Sequence, residues 1–106
     1  MKMKRIALFA CLLGSGPWAF AKDHTVDQKD KQFSQKTLKI KAGDAVDFRN
    51  SDSVSHNIFS LSDAKSFDLG SYPQGQSKRV TFDKPGKVEV ECSIHPNMQM
   101  VIEVEK

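Results

Sequence analysis

A thiol, an imidazole and a thioether fall within seven residues in Cys92-Ser93-Ile94-His95-Pro96-Asn97-Met98, and a second imidazole stands far upstream in His56-Asn57-Ile58-Phe59. Two imidazoles, a thiolate and a weak axial thioether are the donors of a mononuclear copper site used for electron transfer. Cu(I) prefers soft sulfur and low coordination, whereas Cu(II) prefers nitrogen in a tetragonal arrangement. A mixed donor set suits neither state fully, so little has to move when an electron arrives. Zinc is the rival metal, but its structural sites take more thiolates and draw on cysteine and histidine rather than methionine. A single histidine is more often structural than metal-binding. It is the combination of His56, Cys92, His95 and Met98 that predicts one bound copper ion.

These donors need strands to hold them. From Thr37 onward apolar and polar residues alternate with period two, the mark of half-buried strands. Leu38 and Ile40 point one way, and Val46 and Phe48 follow the turn Lys41-Ala42-Gly43-Asp44. Val80 and Phe82 continue the pattern up to Asp83-Lys84-Pro85-Gly86, where the chain reverses. Val88, Val90 and Cys92 then share one face, and Met100, Ile102 and Val104 share another. No segment reads as an amphipathic helix, although Ser62 to Phe67 has room for a short turn. The frequent turn signals predict an all-β sandwich of about seven or eight strands. His56 is expected to open a strand, while Cys92 ends one and hands His95 and Met98 to the following loop. Asn57 is expected to reach across to the backbone or hydroxyl near Ser93, tying the two ligand segments together. Pro96 biases His95 toward an extended backbone.

The first residues read as an export signal. Lys2, Lys4 and Arg5 precede the apolar run Ile6 to Leu13, and Ala19-Phe20-Ala21 has the small-residue pattern of a cleavage site. The apolar run is too short to span a bilayer, and Phe9 ahead of Cys11 makes a poor lipoprotein signal, so no membrane anchor is expected. Residues 1–21 are thus read as a cleaved signal peptide and 22–106 as a single domain. The 106-residue chain has a formal net charge of +3, yet its segment from Lys22 onward carries thirteen basic and thirteen acidic residues. That balance gives no footprint for nucleic acid. Cys11 leaves with the signal, so Cys92 stands alone and forms no internal disulfide.

The residues together resemble the cupredoxins of the plastocyanin, pseudoazurin and amicyanin group. The likeness runs through Lys41-Ala42-Gly43-Asp44, His56-Asn57, Pro85-Gly86 and the Cys92 loop. It implies a Greek-key β-sandwich, one type 1 copper ion with His56, Cys92 and His95 as strong ligands, and service as a soluble electron carrier. An amicyanin-like short loop, Cys-x-x-His-x-x-Met, selects Met98 as the axial ligand, whereas a plastocyanin-like longer loop selects Met100. The short loop leaves a full final strand and lets Met100 join Ile102 and Val104 in the core, which favours Met98. Val90 and Glu91 stand where plastocyanins often carry tyrosines. Electron exit is therefore expected at the edge of His95, ringed by Ile94, Pro96 and Phe59.

The expectation is an exported, periplasmic, monomeric one-electron carrier that meets redox protein partners by transient docking, with no nucleic acid involved. The alternative is a periplasmic copper-handling protein that buffers or delivers the metal. Beyond the four ligands no catalytic constellation exists, so enzymatic turnover is not expected. Cleavage after Ala21 would also expose Lys22-Asp23-His24, whose free amine and histidine can wrap Cu(II) in square-planar nitrogen. A strand-edge histidine is the plainer reading of His24.

Overall fold

Alternation becomes pairing in the computed structural model, which describes residues 20–106. Nine strands occupy those residues: β1 (Asp23–Lys29), β2 (Gln32–Phe33), β3 (Thr37–Lys41), β4 (Asp44–Asn50), β5 (His56–Ser62), β6 (Lys65–Tyr72), β7 (Ser77–Phe82), β8 (Gly86–Cys92) and β9 (Gln99–Glu105). They form a five-stranded sheet in the order β3-β9-β8-β5-β6 and a four-stranded sheet in the order β2-β1-β4-β7. Both sheets are mixed, since β9 runs parallel to β3 and β1 parallel to β4. The export signal expected over 1–21 lies, for residues 1–19, outside the described residues.

The sandwich interior is filled by the residues the alternation points inward, joined by Ile58 of β5. Val46, Phe48, Ile58, Val88, Val90 and Ile102 are fully buried, with Phe82, Met100 and Val104 beside them. Phe67 lies between Phe48 and Phe82, its ring centroid 5.9 Å from the first and 6.1 Å from the second. Burial of such side chains contributes about 1.5–3 kcal/mol each.

Two more strands than the periodicity announces lie ahead of Thr37. The inward positions of β1 include Val26 and Gln28, both fully buried, and the polar Gln28 breaks the apolar period. Its amide instead donates to the Tyr72 hydroxyl at 2.9 Å, and that hydroxyl donates to the Phe48 carbonyl at 2.9 Å. Burial pushes the Tyr72 phenol up to about 12. The turn expected over Ser62 to Phe67 shrinks to Asp63 and Ala64, because Ser62 already pairs with Lys65 in a β5–β6 hairpin. Gly86 opens β8 where a Cβ would come within 2.8 Å of the Ala64 Cβ, so only glycine allows that close approach.

Asp44 ties the start of β4 to two other strands. Its carboxylate accepts from the Lys22 amide at 2.9 Å, the Lys41 amide at 3.0 Å and His24 Nε2 at 2.9 Å. Burial alone would raise this carboxyl, but the Lys22 amide, the His24 ring and the Lys41 amide together hold it below the usual range. The folded value lies below the unfolded one, so the unfolded chain binds more protons in acid. The stabilisation is present above the unfolded value, near 3.8, and is lost as pH falls through the folded value. Asp44→Asn is expected to flatten that acid limb in urea titrations across pH 2–5 and to cost about 1–3 kcal/mol at neutral pH. A variant with the parent's acid limb would remove Asp44 from the account.

Candidate metal centre

One end of the five-stranded sheet gathers the donors. Ile58 pairs with Cys92 across β5 and β8, so Ile58, Cys92 and, two residues earlier, His56 share the inward face. The Ser93 amide donates to the Asn57 carbonyl at 3.0 Å, locking the two segments in register. That link is made by the main chain. The Asn57 side chain, expected to make it, turns outward and donates to Asp68 Oδ1 at 2.9 Å.

Around this end His56 Nδ1 and His95 Nδ1 lie 3.1 Å apart, and Cys92 Sγ lies 3.7 Å from the first and 3.8 Å from the second. The point equidistant from the three atoms is about 2.1 Å from each, within the range of about 2.0–2.3 Å for metal–nitrogen and metal–sulfur bonds. His56 and Cys92 are buried and His95 is partly exposed. Two nitrogens and a soft sulfur at these separations fit one copper ion.

The loop between β8 and β9 is closed by its own backbone. Met98 donates its amide to the His95 carbonyl at 2.9 Å and accepts the Cys92 amide at 3.3 Å. The β8–β9 register pairs Met100 with Val90 and Gln99 with Glu91, and the Cys92–Met98 bond continues it by one step. Met98 thus stands opposite Cys92 with its side chain 1% exposed, whereas Met100 lies two residues further along the ladder in the core. Pro96 and Asn97 are exposed at the loop tip and Ile94 is 49% exposed, so the His95 edge emerges beside an apolar rim. Phe59 is not part of that rim. It alternates with Ile58 and so faces the opposite side of the sheet, paired with Glu91 and Asp68.

Burial and the nearness of the His56 ring and the Lys31 ammonium hold the His95 imidazolium below its ordinary range, against a pull from Asp52. The neutral ring, the form that binds metal, is favoured. Asn50 and Asp52 were not singled out by sequence reasoning. Fully buried Asn50 donates to the Val54 and Tyr72 carbonyls, both at 2.9 Å, and accepts the Asp52 amide at 2.8 Å, shaping the loop that leads into His56. The available signal was Asn50-Ser51-Asp52-Ser53, a run of residues that fold their side chains back on the backbone.

His24 lies in β1, paired with Val46 and bonded to Asp44. Square-planar chelation at Lys22-Asp23-His24 would require this paired end of the strand to peel away.

A family model of copper binding proteins, the plastocyanin/azurin family, matches residues 21–105. The chain belongs to that family. Among relatives, this cupredoxin is 37% identical over 68 residues to the methylamine utilization protein MauL of Methylorubrum extorquens, a match that covers 63% of this chain and 60% of MauL. It therefore spans less than two thirds of that relative. Among solved structures, a Cu-containing nitrite reductase from Thermus scotoductus superposes with a TM-score of 0.73 at 30% identity, covering 78% of this cupredoxin and 22% of the reductase. A purple cupredoxin from Nitrosopumilus maritimus gives 0.70 at 24% identity, covering 77% and 99% of the two chains. A methionine-to-alanine variant of amicyanin in its Cu(I) form gives 0.72 at 22% identity, covering 77% and 81%. The last two likenesses concern the sandwich fold alone.

Proposed function

We propose that this cupredoxin is an exported, periplasmic one-electron carrier, formed from residues 22–106 after loss of a signal over 1–21, with His56, Cys92 and His95 as the strong copper ligands and Met98 as the axial one. The observation that carries this reading is the convergence of two imidazole nitrogens and one sulfur on a single point with metal-bond radii. A bound copper ion would supply a one-electron couple. The chain supplies rigidity: His56 sits on a paired strand, Cys92 ends another, and the Cys92–Met98 loop is closed by its own hydrogen bonds, so donor positions are held before metal arrives. Buried Ile58, Val90 and Met100 exclude water from the inner side.

The partly exposed His95 edge, flanked by Ile94 and Pro96, is the short path to a partner. A few exposed apolar residues around one ligand edge suit brief encounters between redox proteins, whose interfaces bury less than about 1,200 Å². The role is transport of an electron rather than turnover of a substrate.

Loading the purified protein with Cu(II) tests the reading. Expected are an intense sulfur-to-copper charge-transfer band, narrow copper hyperfine splitting and fast reversible reduction. Absence of the band, or slow irreversible reduction with ready metal release, would instead favour copper buffering or delivery. Met98→Leu is expected to keep the band and raise the reduction potential, since the axial donor tunes it. An unchanged potential and spectrum would transfer the axial role to Met100.

A further inference from the structure

The His56 ring meets a carboxylate on the side away from the other donors. His56 Nε2 donates to Asp52 Oδ2 at 3.0 Å, and both residues are out of water, His56 fully and Asp52 7% exposed. The same Oδ2 accepts the Lys31 amide at 2.8 Å, Oδ1 accepts the Ser53 amide at 2.9 Å, and the Asp52 amide is held by Asn50. A carboxylate with three N–H donors is both fixed and favoured as the anion. The Lys31 amide comes from the β1–β2 turn, where Asp30 and Lys31 adopt φ of 53° and 57°. That turn thus contributes a donor to the carboxylate from 21 residues away.

We propose that Asp52 is a positioning residue for the copper centre: it holds the His56 ring with Nδ1 toward Cys92 and His95, and its buried charge biases the couple toward Cu(II). The proposal rests on the carrier reading above. Two physical effects act together. With the Nε2 proton committed to Asp52, the Nδ1 lone pair is the one left facing Cys92 Sγ and His95 Nδ1, so the ring needs no flip or tautomer change to bind. A buried anion hydrogen-bonded to a ligand also makes that ligand a stronger donor and stabilises the more positive metal state. Over the roughly 7 Å from carboxylate to centre, Coulomb's law at an effective dielectric of about 20 makes one unit charge worth more than tenfold in an equilibrium constant.

The test compares the copper-loaded full chain with its Asp52→Asn variant, in which the side chain keeps its shape and an acceptor oxygen but loses the charge. The variant is expected to retain its charge-transfer band while its Cu(II)/Cu(I) ratio at a fixed applied potential falls at least tenfold, a shift of 59 mV or more for one electron. A purely structural role for Asp52 would lower the unfolding midpoint and leave the potential where it was. A variant with the parent's potential and an intact band overturns the assignment of Asp52 alone. A parent protein that forms no band with Cu(II) overturns the carrier reading and this assignment together. A second measurement covers a variant that does not fold. Nuclear magnetic resonance of the parent Cu(I) protein is expected to show a His56 Nε2 proton exchanging as slowly as buried amides, and its absence or rapid exchange overturns the hydrogen bond on which the proposal stands.

Discussion

Cys92→Ser is expected to abolish the intense visible absorption of the copper-loaded protein while leaving the sandwich folded. The side chain is buried at the end of β8, and serine is of nearly the same shape, so the packing cost is on the order of 1 kcal/mol. The chemical cost is far larger. A serine hydroxyl neither ionises at neutral pH nor supplies a soft, polarisable donor, so the electron-rich sulfur that gives the charge-transfer band is gone. Loss of an outer hydrogen-bond partner typically weakens metal binding by 10–100-fold, and loss of the thiolate itself is expected to exceed about 100-fold. Copper titration with absorption and paramagnetic resonance spectra reads both effects. A serine variant that keeps the band would dismiss Cys92 as a ligand, whatever its distance from the two imidazoles.

Phe48→Ala carries the largest expected effect on stability. The ring is fully buried at the centre of β4, stacked at a tilt on Phe67, and the Phe48 carbonyl receives the Tyr72 hydroxyl. Truncating such a phenylalanine costs about 3–5 kcal/mol in lost transfer energy and residual cavity. A small domain commands only about 5–15 kcal/mol in total, so the metal-free variant should stand near the edge of unfolding. Urea titration should show a large fall in midpoint with little change in slope. Because copper binds the folded state, ligand at 1,000 times its dissociation constant should return about 4 kcal/mol. A loss below about 1 kcal/mol would mean that the two sheets collapse onto the vacancy, and that the interior tolerates repacking more readily than its close contacts suggest.

The strands that alternate cleanly were legible from the residues. Leu38 and Ile40, Val46 and Phe48, Val80 and Phe82, and Val88 through Cys92 all lie on strands with their apolar members turned inward. Two segments were not legible, for identifiable reasons. In β1 a buried Gln28 replaces an apolar residue because the Tyr72 hydroxyl is there to receive it, and no local pattern announces a partner 44 residues away. In β6 the alternation is faint because only Tyr72 of its eight residues is buried. The side chain of Asn57 went astray in the same way: Asp68 becomes its neighbour only once β5 and β6 pair.

By itself the amino-acid sequence determined which side chains could serve as donors, the short spacing that puts His95 and Met98 on the loop directly after Cys92, and the sheet faces set by period two. Those properties are local, reaching no further than a strand or a turn, and local chemistry writes them directly into residue order. Tertiary structure alone decided that His56 Nδ1 and His95 Nδ1 come within 3.1 Å, that Met98 stands opposite Cys92, and that Asp52 closes on the far side of the His56 ring. Each depends on which strands pair and in what register. Hydrogen-bond ladders and buried side chains from distant segments set that register collectively, so no single stretch of the chain contains it.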